Sequence, residues 1–157
     1  MALAEDFTIE EKEEQERMVL ESVDRFLERD VEPFAHELEA DDTYPQEIVE
    51  KMIDMGLFGA TIGTEYGGLG LSVSTYAKIV ERVSTVWMSV SGIFNSHLIM
   101  AAAVERSGTE EQKAKWLPRF ASGELRGGIA LTEPDAGTDL QGIRTRADKS
   151  GNGYAVF

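Results

Sequence analysis

From about Ser89 to Arg106, the residues Val90, Ile93, Phe94, His97, Leu98, Met100, Ala101 and Val104 recur at helical spacing and cover more than one face of the helix they predict. A helix that is apolar on several sides has to be surrounded, so the rest of the chain must supply elements that pack around it. It does so with helices. Thr8 to about Arg29 is amphipathic, with Val19, Val23, Phe26 and Leu27 on one stripe. Glu10, Glu11, Glu13, Glu14 and Glu16 crowd its first turns, where negative charge complements the helix dipole. Pro33 opens a short second helix to about Glu39, and Pro45 opens a third whose stripe is Ile48, Val49, Met52 and Ile53 and which Gly56 ends. Ser72 or Ser74 caps a fourth helix, to about Val86. Gly108-Thr109-Glu110-Glu111-Gln112 stops the fifth and caps a sixth, to about Ser122. Thr109 can accept from the Gln112 N–H while the Gln112 side chain reaches back to the cap.

Between the third and fourth helices, the apolar run Leu57 to Ile62 breaks into Thr64-Glu65-Tyr66-Gly67-Gly68-Leu69-Gly70, a loop whose glycines permit backbone angles other residues avoid. The pattern changes again after Gly123. Gly127-Gly128-Ile129-Ala130-Leu131, the alternation Ile143-Arg144-Thr145-Arg146-Ala147, and Tyr154-Ala155-Val156-Phe157 after Gly151-Asn152-Gly153 predict short antiparallel strands joined by tight turns. Three such strands cannot close a sheet. The expected fold is therefore mainly α: an N-terminal multi-helical up-and-down bundle over 1–123, then the first strands of an incomplete antiparallel β-barrel domain over 124–157.

A chain of 157 residues with 42% hydrophobic and 28% charged residues can bury a sizeable core. Its formal charge is −14, and the excess is confined to residues 1–60, which hold 19 acidic and 5 basic side chains. An acidic run of this kind reads as a solvated helix face. Without a basic face, nucleic acid and anionic membranes are not expected partners. No stretch reaches the roughly 18 consecutive apolar residues of a bilayer span. Cysteine is absent, which excludes disulfides, thiolate nucleophiles and Cys-ligated metals in this chain. With an N-terminus, Met1-Ala2-Leu3-Ala4-Glu5-Asp6, that lacks the basic region of a secretory signal, the expected location is the cytoplasm.

Nucleotide and metal motifs fail residue by residue. Gly68-x-Gly70 lacks the third glycine and preceding strand of a dinucleotide fingerprint, no glycine–lysine pair forms a phosphate loop, and His36-Glu37-Leu38-Glu39-Ala40 misses the second zinc histidine. No metal site is expected. The informative stretch is Ala130-Leu131-Thr132-Glu133-Pro134-Asp135-Ala136-Gly137-Thr138-Asp139. Pro134 forces Glu133 out of helical angles and Gly137 allows a sharp reversal, so consecutive N–H groups and the Thr132 and Thr138 hydroxyls can gather on one side. Such a concavity suits a pyrophosphate or an isoalloxazine edge, although an ordinary Asp-Gly loop has the same composition.

This segment resembles the first signature of the acyl-CoA dehydrogenase family: a small and an apolar residue, Thr-Glu-Pro, any residue, then Ala-Gly-Ser/Thr-Asp. Glu65-Tyr66-Gly67-Gly68-Leu69-Gly70-Leu71, Gly108-Thr109-Glu110-Glu111-Gln112-Lys113, Trp116-Leu117-Pro118, Gly123-Glu124 and Thr145-Arg146-Ala147 follow the same family in order. The resemblance implies a helical domain, a middle β-barrel and a C-terminal four-helix domain carrying a glutamate base. This chain would hold the first and the opening of the second, no catalytic residue, and too little to be active or to retain cofactor alone.

The implied cofactor is FAD, bound by Ile129, the Leu131 backbone, the backbone and hydroxyl of Thr132, Gly137 and Thr138. Thr138, where the family usually has Ser, would meet the pyrophosphate and lie near the CoA arm. Phe94, Asn95 and His97 would line the acyl tail, although plain core packing explains each of them as well. The implied reaction removes the α proton of an acyl-CoA and transfers a β hydride to the flavin, giving a trans-2-enoyl-CoA. Electron-transfer flavoprotein or a similar acceptor, and further copies of the chain in a dimer or tetramer, are the implied partners. An acyl-CoA oxidase, a flavin monooxygenase, or a helical interaction module without redox chemistry would share these features.

Overall fold

The structure is a computed structural model that describes residues 8–157; the N-terminal segment read above for a secretory signal lies outside the described residues. Helix α1 (Ile9–Phe26) starts on Thr8, whose hydroxyl accepts from the Glu11 N–H at 3.2 Å while the Glu11 carboxylate accepts from the Thr8 N–H at 2.7 Å. The predicted break before a separate second helix is not there. The rod runs through a π-helical turn (Leu27–Val31) straight into α2 (Glu32–Ala40), and the Glu32 N–H donates to Leu27 O, five residues back. The widened turn sits directly ahead of Pro33, which has no N–H to give a regular helix and whose ring would crowd one.

That turn buries Asp30. Its carboxylate accepts from Arg29 at 2.7 and 2.9 Å and from the Lys51 ammonium at 2.7 Å, joining the π turn to α3 (Gln46–Asp54). The Arg29 guanidinium first, and then Lys51, hold the Asp30 carboxyl at about 2, down from 3.8. A folded-state value below the unfolded one stabilises the protein above the unfolded pKa, and that contribution is lost as pH falls through the folded pKa. Asp30→Asn is therefore expected to lower the Tm at pH 7 and to flatten its decline between about pH 4 and pH 2. Wild-type and variant curves that stay parallel over that window count against the assignment.

After Gly56 (φ +76°), two 3₁₀ turns, Leu57–Gly59 and Thr64–Tyr66, carry the chain through the glycine loop into α4 (Val73–Ser107). Ser72 is the cap, accepting from the Thr75 N–H at 3.0 Å. The predicted fourth and fifth helices are one rod broken at Trp87 (φ −154°, ψ 103°), inside the predicted gap between Val86 and Ser89. The break is held from α2: the Glu39 carboxylate accepts from the Trp87 indole N–H and, at 3.1 Å, from the Ser89 hydroxyl. Val83, Val90, Phe94, His97, Leu98 and Ala101 of α4 form the centre of the core, against Val23 and Phe26 of α1, Val49 and Met52 of α3, and Leu117 of α5 (Glu110–Ala121). Thr109 and Gln112 make the expected reciprocal cap at 3.2 and 2.8 Å.

By length and composition, α4 is apolar enough to cross a membrane, with a mean hydropathy of 1.3 over 18 residues, although its apolar residues form no unbroken run of that length. Its buried face is the core of the helical bundle.

Beyond Gly123 (φ +71°), the described residues form two strands instead of the three predicted. They are β1 (Ala147–Ser150) and β2 (Gly153–Val156), paired antiparallel with Ala147 opposite Val156, and Arg146 and Phe157 exchange N–H···O bonds beyond them. Gly127 to Leu131 is unpaired, and the strand expected at Ile143–Ala147 begins only at its last residue. The cause is local. The N–H groups of Arg144 and Thr145, which a ladder would need, are taken by the Glu133 carboxylate at 2.8 Å each.

Candidate cofactor site

The chain leaves the helical bundle along a bolted path. The Leu125 N–H donates to Arg119 O at 3.0 Å, the Arg119 guanidinium pairs with Glu124 at 2.7 Å, and Arg126 donates to the Tyr44 hydroxyl at 2.8 Å. Gly127 then donates its N–H to His97 Nδ1 at 3.4 Å. A Cβ on Gly127 would sit 2.9 Å from the Met100 methyl, and one on Gly128 would sit 3.9 Å from Ser96 Cβ, so the backbone lies across the half of α4 that follows the Trp87 break.

From there the segment 129–132 runs out with exposed side chains, and Ile129 and Leu131 are 41% and 47% exposed. Pro134 and Asp135 form the tip of a two-residue reversal. The Glu133 N–H donates to Ala136 O at 2.8 Å and the Ala136 N–H to Glu133 O at 3.2 Å, so Thr132 and Gly137 flank one closed pair. The reversal is held from outside by Glu133, whose carboxyl lies below its usual range because the Thr145 hydroxyl and then the Arg144 and Thr145 N–H groups favour its ionised form. Asp139 caps the following 3₁₀ turn, Leu140–Gly142, by accepting from the Gln141 N–H at 3.1 Å. Ala136 is buried in the loop, while Gly137 has open space where a side chain would be.

These contacts decide whether a flavin can be accommodated. Among the described residues, the Thr132 and Thr138 hydroxyls have no hydrogen-bond partner, and the N–H groups of Ile129 to Thr132 have no backbone acceptor. These donors lie on exposed residues, and the tip between them is closed by the Glu133–Ala136 pair. The residues present fit the polar edge of an isoalloxazine and a phosphate group. Bringing together Leu131, Thr132, Gly137 and Thr138 takes Glu133, a residue that sequence reasoning did not select. Its anchors lie eleven and twelve residues onward, too far for any local pattern to reveal.

The three residues read as lining an acyl tail are placed differently from one another. Phe94 is fully buried and packs edge-on against the Tyr76 ring at 6.3 Å. His97 is fully buried between Phe58 and Phe120, at 5.2 and 5.7 Å between ring centres. Neither offers surface to a ligand. Burial pushes the His97 imidazole below the ordinary histidine value, against the opposing pull of the Phe120 carbonyl. Asn95 is half-buried, and its side-chain oxygen accepts from the Tyr76 hydroxyl. The exposed positions on that half of α4 are instead Gly92, Ser96 and Ile99, of which Ser96 lies next to Gly128. Helical spacing could have indicated them as the face opposite Leu98 and Ala101.

Comparison with known proteins identifies the family. The family profile described as acyl-CoA dehydrogenase, N-terminal domain, matches residues 13–124. The chain is 39% identical over 145 residues to (2S)-methylsuccinyl-CoA dehydrogenase of Cereibacter sphaeroides, covering 92% of this chain and 26% of that one. In three dimensions it is similar to a chain in the structure of the electron transferring flavoprotein of Acidaminococcus fermentans, with a TM-score of 0.84 and 32% identity over 96% of this chain and 39% of that one. It is also similar to the acyl-CoA dehydrogenase of Bacillus anthracis complexed with FAD, with a TM-score of 0.78 and 30% identity over 98% of this chain and 26% of that one. The chain thus spans between about a quarter and two fifths of the length of these relatives. With the profile matching residues 13–124, well over half of its length, the chain belongs to the acyl-CoA dehydrogenase family.

Proposed function

We propose that this chain is the N-terminal part of an FAD-dependent acyl-CoA dehydrogenase, acting within a longer polypeptide on the α,β bond of an acyl-CoA thioester. The observation that carries the reading is the exposed set of unpartnered donors at Ile129 to Thr132 and Thr138, beside a reversal that Glu133 ties to Arg144 and Thr145. When bound there, FAD supplies a ring able to accept a hydride. The work of this chain is binding and orientation. The Leu131 and Thr132 N–H groups and the Thr132 hydroxyl meet the polar edge of the ring, where donors stabilise negative charge as it arrives. Thr138, beyond the reversal, donates to the pyrophosphate, and Ile129 packs against the ring. The acyl tail runs along the Ser96 side of α4, next to Asn95. Reducing equivalents leave to an electron-transfer flavoprotein or a similar acceptor, and the full polypeptide assembles as a homo-oligomer.

The test is optical. The full-length polypeptide should carry a flavin absorbance that bleaches on addition of a short-chain acyl-CoA. Thr132→Val should weaken flavin retention by roughly 1–3 kcal/mol, the worth of one buried hydrogen bond with its partner left unpaired. Full retention of flavin by the valine variant excludes the role given to Thr132. A flavin that binds but never bleaches with any acyl-CoA excludes the dehydrogenase reading.

A further inference from the structure

His97 contacts three parts of the molecule at once. It sits on α4, its Nε2 lies 3.1 Å from the Phe120 carbonyl at the end of α5, and its Nδ1 lies 3.4 Å from the amide of Gly127, where the chain sets out toward the cofactor site. A carbonyl can only accept and an amide N–H can only donate, so this pair of partners suits a neutral ring with its proton on Nε2. Its orientation is fixed as well: Phe58 packs against it at 63° and Phe120 at 90°, and no part of the ring is exposed. Any buried imidazole needs partners for its nitrogens, and what sets this one apart is which partners it has. A ring with both nitrogens committed, one of them to the last amide before an unpaired exposed strand, is built to hold that amide.

From this geometry, and resting on the flavin reading above, we propose that His97 is a positioning residue for the flavin-facing strand. Its ring holds the Gly127 amide and thereby sets where Ile129, Leu131 and Thr132 lie. Only Gly128 separates the held residue from Ile129, and the extended backbone between them has no ladder of its own, so a shift at Gly127 passes directly to the donors. The glycine is required for the same purpose, because a side chain there would meet the Met100 methyl at 2.9 Å and lift the backbone off α4. Small displacements matter at such a site, since donors must be held to within about half an ångström to serve a bound ring.

The test uses the full-length, FAD-loaded polypeptide and three variants. His97→Phe keeps the aromatic volume and loses both nitrogens, while His97→Gln can supply one donor and one acceptor from a single amide. Gly127→Pro deletes the N–H and leaves the ring in place. In His97→Phe, hydrogen exchange of the amides from Gly127 to Thr132 is expected to accelerate at least about tenfold, and FAD release, followed by the rise in free-flavin fluorescence, about tenfold. Exchange in α1 and α3 should not change. His97→Gln should bring both quantities back to within about threefold of wild type.

Acceleration spread evenly through α4 and α5 would show that the ring only fills the core, and unaltered exchange at Gly127 to Thr132 would overturn the proposal outright. If His97→Phe does not fold, Gly127→Pro must reproduce the same local loosening, and its failure to do so also overturns the proposal. Thr132→Val separates this proposal from the flavin reading. If the valine variant keeps its flavin while His97→Phe loosens the strand, the clamp stands and the flavin assignment falls. If the valine variant loses flavin and His97→Phe does not, the clamp falls.

Discussion

Gly68→Ala is expected to destabilise the helical bundle by at least about 3 kcal/mol, the upper end of ordinary overpacking and a large share of a typical domain's stability. A methyl group at this position would lie 2.1 Å from the carbonyl oxygen of Ile62, 2.6 Å from its carbon and 2.8 Å from the Gly59 oxygen. All three are backbone atoms with no rotamer to change. The same backbone is committed to a compact set of hydrogen bonds: Leu69 N–H to Gly59 O, Gly70 N–H to Ile62 O and Leu71 N–H to Ala60 O, at 2.8 to 2.9 Å. Moving Ile62 to admit the methyl breaks these and pulls Phe58 and Ile62, both essentially fully buried, out of register with α5. The neighbouring glycine is the control. Gly67 has φ +81° and open space around it, so Gly67→Ala meets only the left-handed backbone penalty, about 1–2 kcal/mol. Thermal melts of the two variants therefore separate close approach from conformational strain, and equal losses in both would refute the crowding argument.

This pair of glycines also marks how far the sequence could be read. Tyr66-Gly67-Gly68-Leu69-Gly70 predicts a loop with unusual backbone angles, and Gly67 and Gly70 do have positive φ. Gly68 does not; its constraint is a neighbour across the loop, and no local rule reports that. The helices were legible for the complementary reason that stripes, caps and stops are short-range. Thr109 with Gln112, Ser72 and Gly56 all act within four residues of themselves. Predictions failed where a partner far along the chain intervenes. Pro33 is a correct helix-opening signal, yet the π turn at Leu27–Val31, stitched to α3 through Asp30 and Lys51, carries α1 through it without a gap. The alternation at Ile143 to Ala147 is a true strand pattern, yet Glu133 withdraws two of its amides. In the Thr-Glu-Pro segment, Pro134 and Gly137 do mark a sharp reversal, closed between Glu133 and Ala136. The contacts of Glu133 and His97 became visible only once Arg144, Thr145 and Gly127 were placed beside them.

The 157-residue chain by itself is expected to bind FAD at least about a thousandfold more weakly than the full-length polypeptide, and to leave purification colourless. Small-molecule sites bury some 70–90% of their ligand, whereas the segment from Ile129 to Thr138 can meet one edge of a flavin and one phosphate. A thousandfold corresponds to about 4 kcal/mol, no more than two or three hydrogen bonds and one ring face withheld. The same surface predicts a second behaviour. Leu140, Tyr154, Val156 and Phe157 are each more than half exposed, on or beside a hairpin with open edges, and Ile129 and Leu131 add apolar area nearby. Unpaired strand edges next to apolar side chains attract further strands. Sedimentation of the isolated chain should therefore show concentration-dependent association, and hydrogen exchange should be rapid throughout residues 128–157 and slow in α3 and α4 at low concentration. Stoichiometric FAD on the isolated chain would show that the donors of one strand and one reversal suffice, and would move the source of flavin affinity from the enclosing barrel into this segment.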